Sequence, residues 1–415
     1  MILLSHPTAN QNVRQTALAF TETHLLREFW TAVNWNRGGL LDRLARFSPR
    51  LRNELRRRSF LPELTPFVRT DPAREWFRLA AMQFGWTGLT KNERGPISID
   101  SVYRSLDRRV AERITAGLTI KAVYAYDDGA LASFHAAKER GIKCIFEHPV
   151  ISWRVVRELQ REEAALRPEW APTLGALRDS DEKLARKDEE LALADLVVTA
   201  SSFARESVMR APRLTAPVIV IPYGTQPASG PGPRKALGGK LRVLFVGALS
   251  QAKGLGYVLE AVGRLESEVE FTLIGRRVCA LIPAPALLEK YRWTPSLPHD
   301  ELLREMSRHD VLVFPSLHEG FGLVITEAMS QGLVVITTPH TAAPDLITNG
   351  ADGFIIPIRA AAAIEEKLAL LAREPDRLRA MQDAAREKAR TCTWENYRQR
   401  LIRLAREVVD RPVAS

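Results

Sequence analysis

Glu319 and Glu327 stand eight positions apart in the stretch His318-Glu-Gly-Phe-Gly-Leu-Val-Ile-Thr-Glu327, with a Gly-Phe-Gly turn between them. The apolar spacing that follows predicts a helix from about Phe321 to Gln331, closed by Gly332 as a left-handed residue beyond its end. The first N–H groups of that helix, at the positive end of its dipole, would form an anion site between Glu319 and Gly322. At helical rise, eight residues span about 12 Å, comparable with a diphosphate joining a sugar to a ribose. Each carboxylate could accept hydroxyl hydrogen bonds from one end of such a molecule. Taken alone, the same pair also reads as a loop Glu followed by a solvated helix Glu.

A second group of residues follows the apolar run Leu241-Arg-Val-Leu-Phe-Val246, as Gly247-Ala-Leu-Ser-Gln-Ala-Lys253-Gly254. A glycine turn at the carboxyl end of a parallel strand is where α/β sheets hold phosphates. Lys253 would be a compact positive charge beside a departing diphosphate. A unit charge 4 Å away contributes about 4 kcal/mol at an effective dielectric near 20. Charge builds on the leaving phosphate in the transition state, so part of that attraction lowers the barrier.

Pro315-Ser316, Glu-Gly-Phe-Gly322 and Glu327-Ala-Met-x-x-Gly332, together with Val246-Gly-x-Leu-Ser-x-x-Lys-Gly254, resemble the signatures of the retaining family-4 glycosyltransferases. The first set carries that family's E-x7-E motif and the second its donor-phosphate loop. The resemblance is dense over the second half of the chain and loose over the first. It implies a GT-B fold, a UDP- or GDP-linked sugar as donor, a hydroxyl acceptor, retention of anomeric configuration, and chemistry without a metal or cofactor. Carried over residue by residue, it has Glu327 bind the ribose hydroxyls. Glu319 and the N–H groups of Gly320, Phe321, Gly322 and Leu323 hold the sugar and phosphate, and Gly247 and Lys253 take the diphosphate. The chain departs from the pattern at Ala248, where the family usually has an Arg as a second phosphate ligand. Arg276, after Leu273-Ile-Gly275, is the expected substitute, because Arg277 should point elsewhere.

The first half contributes two segments by the same resemblance. Ile145-Phe-Glu-His148-Pro149 stands where the family carries a histidine near the transferred sugar, so His148 joins Glu319 and Lys253 as an expected catalytic group. Asn10-Gln11-Asn12 occupies the place of the acceptor-side loop, although that loop is usually glycine-rich. Asp127-Asp128-Gly could hold a divalent cation, but such a triplet after a strand makes a good turn and cap, and no metal site is expected. A histidine after a strand is also commonly structural.

These residues need scaffolds, and short β-branched runs alternate with helix-period segments as in α/β folds with parallel sheets. Strands are expected at 1–5, 122–126, 143–146, 196–199 and 218–222, then at 241–246, 271–274, 311–314 and 333–337. Helices are expected at 129–141, 152–166 and 179–194. Asp71-Pro72 should open another, with Trp76, Ala80 and Phe84 on one face. Gly224 to Gly239 holds five glycines and three prolines without periodicity, which reads as a linker. The expected organisation is a Rossmann-like acceptor domain at 1–223, a linker at 224–240 and a Rossmann-like nucleotide-sugar domain at 241–393. A helix at 394–415 is expected to cross back to the first domain.

Composition bounds the rest. The 415 residues are 46% hydrophobic and 26% charged, as expected for an ordinary globular chain with two cores. Cys144, Cys279 and Cys392 are too scattered for a disulfide framework or zinc site. Met1-Ile-Leu-Leu-Ser-His lacks a signal-peptide pattern, and no run is long enough to span a bilayer, so the expected location is cytoplasmic. Residues 43–113 hold 16 Lys/Arg against 8 Asp/Glu, a large part of the net charge of +10. Six arginines fall between Arg46 and Arg58, where Ser48-Pro49 reads as a helix start with Leu51 and Leu55 as a narrow stripe. Such a helix can be simply solvated, or it can lie on anionic lipid at the inner membrane face, each basic residue contributing roughly 1 kcal/mol. No motif supports nucleic-acid binding. The reading is a hexosyltransferase with a glycan or lipid-linked acceptor, as in surface-polysaccharide assembly. Its alternative is a non-catalytic basic binding module on the same scaffold.

Overall fold

A computed structural model describes residues 1–8, 10–35, 58–226, 239–278 and 290–410. The predicted helix at Ser48-Pro49, residues 46–57 of the basic stretch, Cys279 and residues 227–238 of the linker lie outside the described residues.

The first sheet comprises β1 (Ile2–Ser5), β2 (Leu26–Thr31), β3 (Val68–Thr70), β4 (Ala122–Tyr126), β5 (Lys143–His148), β6 (Leu196–Thr199) and β7 (Val218–Val220). Its helices are α1 (Gln11–Glu22), α2 (Ala73–Gln83), α3 (Ile99–Thr115), α4 (Leu131–Glu139), α5 (Trp153–Leu166), α6 (Asp181–Leu193) and α7 (Ser202–Val208). The second sheet comprises β8 (Leu241–Val246), β9 (Val269–Ile274), β10 (Arg292–Thr294), β11 (Val311–Phe314), β12 (Val334–Thr337) and β13 (Gly353–Ile355). With it go α8 (Leu255–Arg264), α9 (His299–Met306), α10 (Leu323–Ser330), α11 (Ala343–Leu346), α12 (Ala361–Arg373), α13 (Pro375–Thr391) and α14 (Trp394–Asp410).

Every described strand pairing is parallel. The strand orders are β3-β2-β1-β4-β5-β6-β7 and β10-β9-β8-β11-β12-β13. Both orders reverse direction once, between β1 and β4 and between β8 and β11. At such a switch point the loops after neighbouring strands diverge to opposite faces and leave a crevice at the carboxyl ends. The topology therefore selects two places for a ligand. One lies beside His6 and Asp127, the other beside Gly247 and Pro315.

The strands of both sheets are fully buried where helices cover both faces, as in Ile2-Leu-Leu-Ser5 and Val311-Leu-Val-Phe314. The last described helix, α14, packs on the first domain. In α14, Tyr397, Leu401, Ala405 and Val409 recur every four residues and are nearly inaccessible, the stripe a helix needs to dock. Burying each large member stabilises by about 1.5–3 kcal/mol. The Tyr397 hydroxyl lies 2.8 Å from Thr16 of α1, and Lys121 donates to the Val409 carbonyl. The reverse crossing is less regular. Trp170, in a short turn after α5, packs into the hydrophobic core of the second domain, where a Cβ on Gly256 would fall 2.9 Å from its indole nitrogen.

Several expectations need correction. The helix after the Gly-Phe-Gly turn begins at Leu323, with Gly322 as its N-cap at φ +87, two residues later than the apolar pattern alone places it. β5 extends through His148, so that histidine ends a strand instead of following one. In α2 the buried residues are Glu75, Leu79 and Ala81, while Ala80 and Phe84 are exposed. Of the expected apolar face only Trp76 packs inward, against Trp35 and Leu79, and the neighbouring Glu75 is buried under Arg58 and Arg78. Strands β2, β3, β10 and β13 are additional to those expected.

Candidate active site

The second switch point is built by close backbone approach. β8 and β9 run in register, Val246 opposite Ile274, and a Cβ at Gly275 would lie 1.6 Å from the Gly247 carbonyl oxygen. Only glycine fits there. The register continues past the strand ends, since Leu249 N–H donates to the Arg276 carbonyl. Ala248 and Arg276 therefore stand side by side on neighbouring loops, and the Arg276 side chain is exposed. Arg277 turns away and stacks its guanidinium 4.5 Å from the Trp293 ring centre.

Lys253 closes a short turn ended by Gly254 at φ +71, and a Cβ on Gly254 would lie 2.2 Å from the Pro315 carbonyl oxygen. That contact presses the Lys253 turn against the end of β11. Glu319, 66 positions away in sequence, takes Lys253 Nζ on both carboxylate oxygens, one at 2.8 Å. The pair sits at the head of α10, whose first N–H groups have no carbonyl within the helix to bond. Phe321 turns its ring into the core, 5.3 Å from that of Tyr223, so only its backbone faces the loop. About one turn further along α10, Glu327 accepts from His299 Nε2 at 2.9 Å. That bond raises the His299 imidazole above its ordinary value, while burial opposes the shift. His299 follows a Pro-rich segment with no flanking motif, and its partnership with Glu327 has no signal in the sequence.

The first domain supplies the opposite wall. His148 ends β5, is 3% exposed and leaves both ring nitrogens without a hydrogen bond. Buried polar atoms of this kind are few in native proteins and call for an explanation. Asp127 Oδ1, also without a hydrogen bond, lies 3.4 Å from His148 Nδ1. Burial pushes the Asp127 carboxyl up, but Lys187 and His148 outweigh it and hold the group below its ordinary value. Lys187 bonds both Asp127 and Asp128, and Arg186 also bonds Asp128. The turn expected at Asp127-Asp128 is present, with Asp128 at φ +70. Its carboxylates, however, serve as anchors for α6 and His148, a role that the local triplet does not display.

The expected acceptor residues divide. Asn10 is exposed and Gln11 half-buried at the start of α1. Asn12 is enclosed, donating to Tyr223 Oη at 3.1 Å and to Glu147 at 3.5 Å. Its placement among acceptor contacts is therefore corrected. It satisfies a buried carboxylate that also accepts from the Tyr124 and Tyr223 hydroxyls.

The two walls touch. A Cβ on Gly320 would fall 1.9 Å from the Pro149 carbonyl oxygen, next to His148, and Ser201 Oγ donates to the Gly320 carbonyl. Further across, Glu163 of α5 accepts from Gln251, Tyr257 and Arg359. Asp345 accepts from Ser202 N–H, and His340 stacks on Phe203 with ring centres 4.4 Å apart. The domains are closed on each other. Among the described residues there is no cluster of three metal-ligating side chains, and no helix is long and apolar enough to cross a membrane.

His6, at the end of β1, gives this wall a pH dependence. Burial pushes its imidazole down to about 4, against a smaller pull from the Thr8 carbonyl. As pH falls below about 6.5 the unfolded chain takes up the proton first. Stability is thus expected to fall with pH until His6 itself protonates near 4, by roughly 1.4 kcal/mol per pH unit from this group. Urea midpoints at about pH 7 and about pH 5 should differ less for His6→Gln than for the unaltered chain. An unchanged difference would contradict the assignment.

Two doubly wound parallel domains meeting across a cleft at their switch points define a GT-B architecture. Residues 233–388 match the family model described as Glycosyl transferases group 1. The chain is 29% identical over 169 residues to the putative colanic acid biosynthesis glycosyltransferase WcaL of Salmonella typhimurium, covering 37% of this chain and 42% of that protein. It is 30% identical over 138 residues to the amylovoran biosynthesis glycosyltransferase AmsK of Erwinia amylovora, covering 30% and 34%. The chain thus matches less than half the length of either relative. In structure it resembles sucrose-phosphate synthase of Thermosynechococcus elongatus, with TM-score 0.67, 17% identity and 98% of both chains covered. It also resembles Anabaena HepE in complex with UDP, with TM-score 0.60, 13% identity and 97% and 98% covered. At such identities the likeness shows the fold.

Proposed function

We propose that the protein is a glycosyltransferase that moves a hexosyl unit from a UDP- or GDP-linked sugar to a hydroxyl acceptor, with retention. One observation carries this reading. Lys253 and Glu319, distant in sequence, meet at the second domain's switch point, at the head of α10, against the His148–Pro149 strand end. In the reaction the acceptor oxygen bonds the anomeric carbon as the bond from that carbon to the diphosphate breaks, and the acceptor's hydroxyl proton passes to the departing diphosphate. Lys253, Arg276 and the α10 N–H groups take up the charge on the departing diphosphate, with no metal assigned a part. Arg276 stands beside Ala248, which suits it to replace the missing arginine. Glu327 binds the ribose, with His299 orienting its carboxylate. Glu319 holds a sugar hydroxyl, and His148, oriented by Asp127, faces the sugar from the other wall. Closure excludes the water that would hydrolyse the donor. Retention rests on the resemblance to family-4 enzymes. A UDP donor is supported by the HepE complexes with UDP and UDP-glucose.

The acceptor is a glycan or lipid-linked molecule, a reading supported by the colanic acid and amylovoran biosynthesis in the names of WcaL and AmsK. The protein would then act in the cytoplasm at the inner membrane face. Of the arginines expected to touch lipid, Arg58 is turned inward onto Glu75 at 2.7 Å, so it is withdrawn from that role. A donor-hydrolysis screen over UDP- and GDP-sugars tests the reading. Slow release of UDP or GDP from one sugar class is the expected result. Release from none, with and without glycan acceptors, would contradict it.

A further inference from the structure

The exposed apolar surface is concentrated in one short segment. Among the described residues thirteen large hydrophobic side chains are exposed, and five of them fall between Phe77 and Leu89. Phe77 and Phe84 are each 68% exposed, and Met82, Trp86 and Leu89 complete the group. Chance scatter of surface apolar residues does not produce such a cluster, and a concentrated patch marks an interaction site. All residues from Met82 to Leu89 are exposed, so the end of α2 and the turn after it project into solvent. The turn is nonetheless ordered. Trp86 N–H donates to the Ala81 carbonyl, Ile97 N–H to Leu89, and the Phe84 and Trp86 rings stack at 5.3 Å.

The charges around it are sorted by sign. Asp71 accepts from Ser105, Glu75 is gripped by Arg58 and Arg78, Glu93 bonds Ser180 and Asp100 pairs with Lys183. Each acid between 71 and 100 is thus engaged by a neighbouring group. Arg74, Lys91 and Arg94 remain exposed. Arg74 also ties the start of α2 to the returning chain through the Pro96 carbonyl, which gathers these cations beside the apolar turn. A projecting turn with two stacked aromatic rings and a cationic border suits a planar anionic surface better than a concave protein partner. Its place suits it too. Asp71-Pro72 leads into α2 from the end of β3, at the carboxyl edge of the sheet, the edge that bears the cleft.

We propose that residues 77–89 form a lipid-docking surface, in which Phe84 and Trp86 insert at the interface of an anionic bilayer while Arg74, Lys91 and Arg94 meet its headgroups. The surface presents the cleft to an acceptor held in that bilayer, and this part rests on the transferase reading. The test uses the full chain and sedimentation with vesicles of phosphatidylcholine, with or without phosphatidylglycerol. Binding to the mixed vesicles should weaken on the order of tenfold for Phe84→Ser/Trp86→Ser. For Lys91→Glu/Arg94→Glu the preference for anionic lipid should disappear, and UDP binding should stay unchanged in both variants. Wild type that ignores vesicles, or an aromatic variant that binds like wild type, would overturn the proposal. So would a wild-type dimer that the aromatic variant dissociates, because the occupant would then be a second copy. Vesicle binding by a chain that releases nucleotide from no sugar donor would support the surface while contradicting the transferase reading.

Discussion

Lys253→Met is expected to lower kcat for transfer by roughly 10²–10³-fold with little change in KM for the donor. The reason lies in where the charge is placed. The Gly254 turn is wedged against Pro315 and aims Lys253 at Glu319, so the ammonium is held at the carboxyl ends of the second sheet's strands before any ligand arrives. A cation about 4 Å from the departing diphosphate contributes about 4 kcal/mol at an effective dielectric near 20. Part of this is already present in the bound donor, and the remainder appears as charge develops. Removing the cation also leaves Glu319 beside the diphosphate without its counter-charge. Lys253→Met/Glu319→Gln should therefore lose less than the sum of the two single changes. Steady-state kinetics at saturating acceptor decides. A kcat within threefold or so of wild type would remove Lys253 from the mechanism.

Gly320→Ala should lower transfer by about a hundredfold or more while leaving nucleotide affinity as it is. A methyl group there meets the Pro149 carbonyl oxygen at 1.9 Å, its carbon at 2.7 Å and Val150 Cα at 2.9 Å. All three are backbone atoms, so no side chain can swing away. The clash must instead separate the domains, breaking the Ser201–Gly320 bond and drawing His148 away from Glu319. Lys253, Arg276 and Glu327 all belong to the second domain and keep their places. The variant thus separates closure from donor binding. Equal losses in kcat and in nucleotide affinity would mean that Gly320 supports the loop itself and not the junction.

The arrangement of the second domain's wall was largely legible because it is local in sequence. Glu319, Gly322 and Glu327 lie on one turn and one helix, Gly254 and Gly275 sit at close backbone approaches, and Gly247 takes φ +154. The pairing of Lys253 with Glu319 required two strand ends to meet, but both segments carried their own signals. The opposite wall was less legible. The Asp127–Lys187–His148 arrangement joins β4, β5 and α6, and a lysine within a highly charged helix has no feature that separates it from its solvated neighbours. Asn12 looked like a loop residue because a buried amide and an exposed one are written identically. Edge strands such as Arg292-Trp-Thr294 are too short for periodicity to appear. The α2 surface misled for a related reason. Its apolar spacing put Trp76, Ala80 and Phe84 on one face, yet only Trp76 packs inward, against Trp35 and Leu79, while Glu75 is buried with its arginines and Phe77 and Phe84 point outward.

The central claim is that the second domain's switch point holds a nucleoside diphosphate between Lys253 and Glu327. Calorimetric titration of the full chain with UDP and with GDP tests it most directly, with Glu327→Ala run in parallel. The account predicts that one nucleotide binds wild type, and that Glu327→Ala binds it at least about tenfold more weakly through the lost ribose contact. Binding of neither nucleotide by wild type, or equal binding after Glu327→Ala, would contradict it.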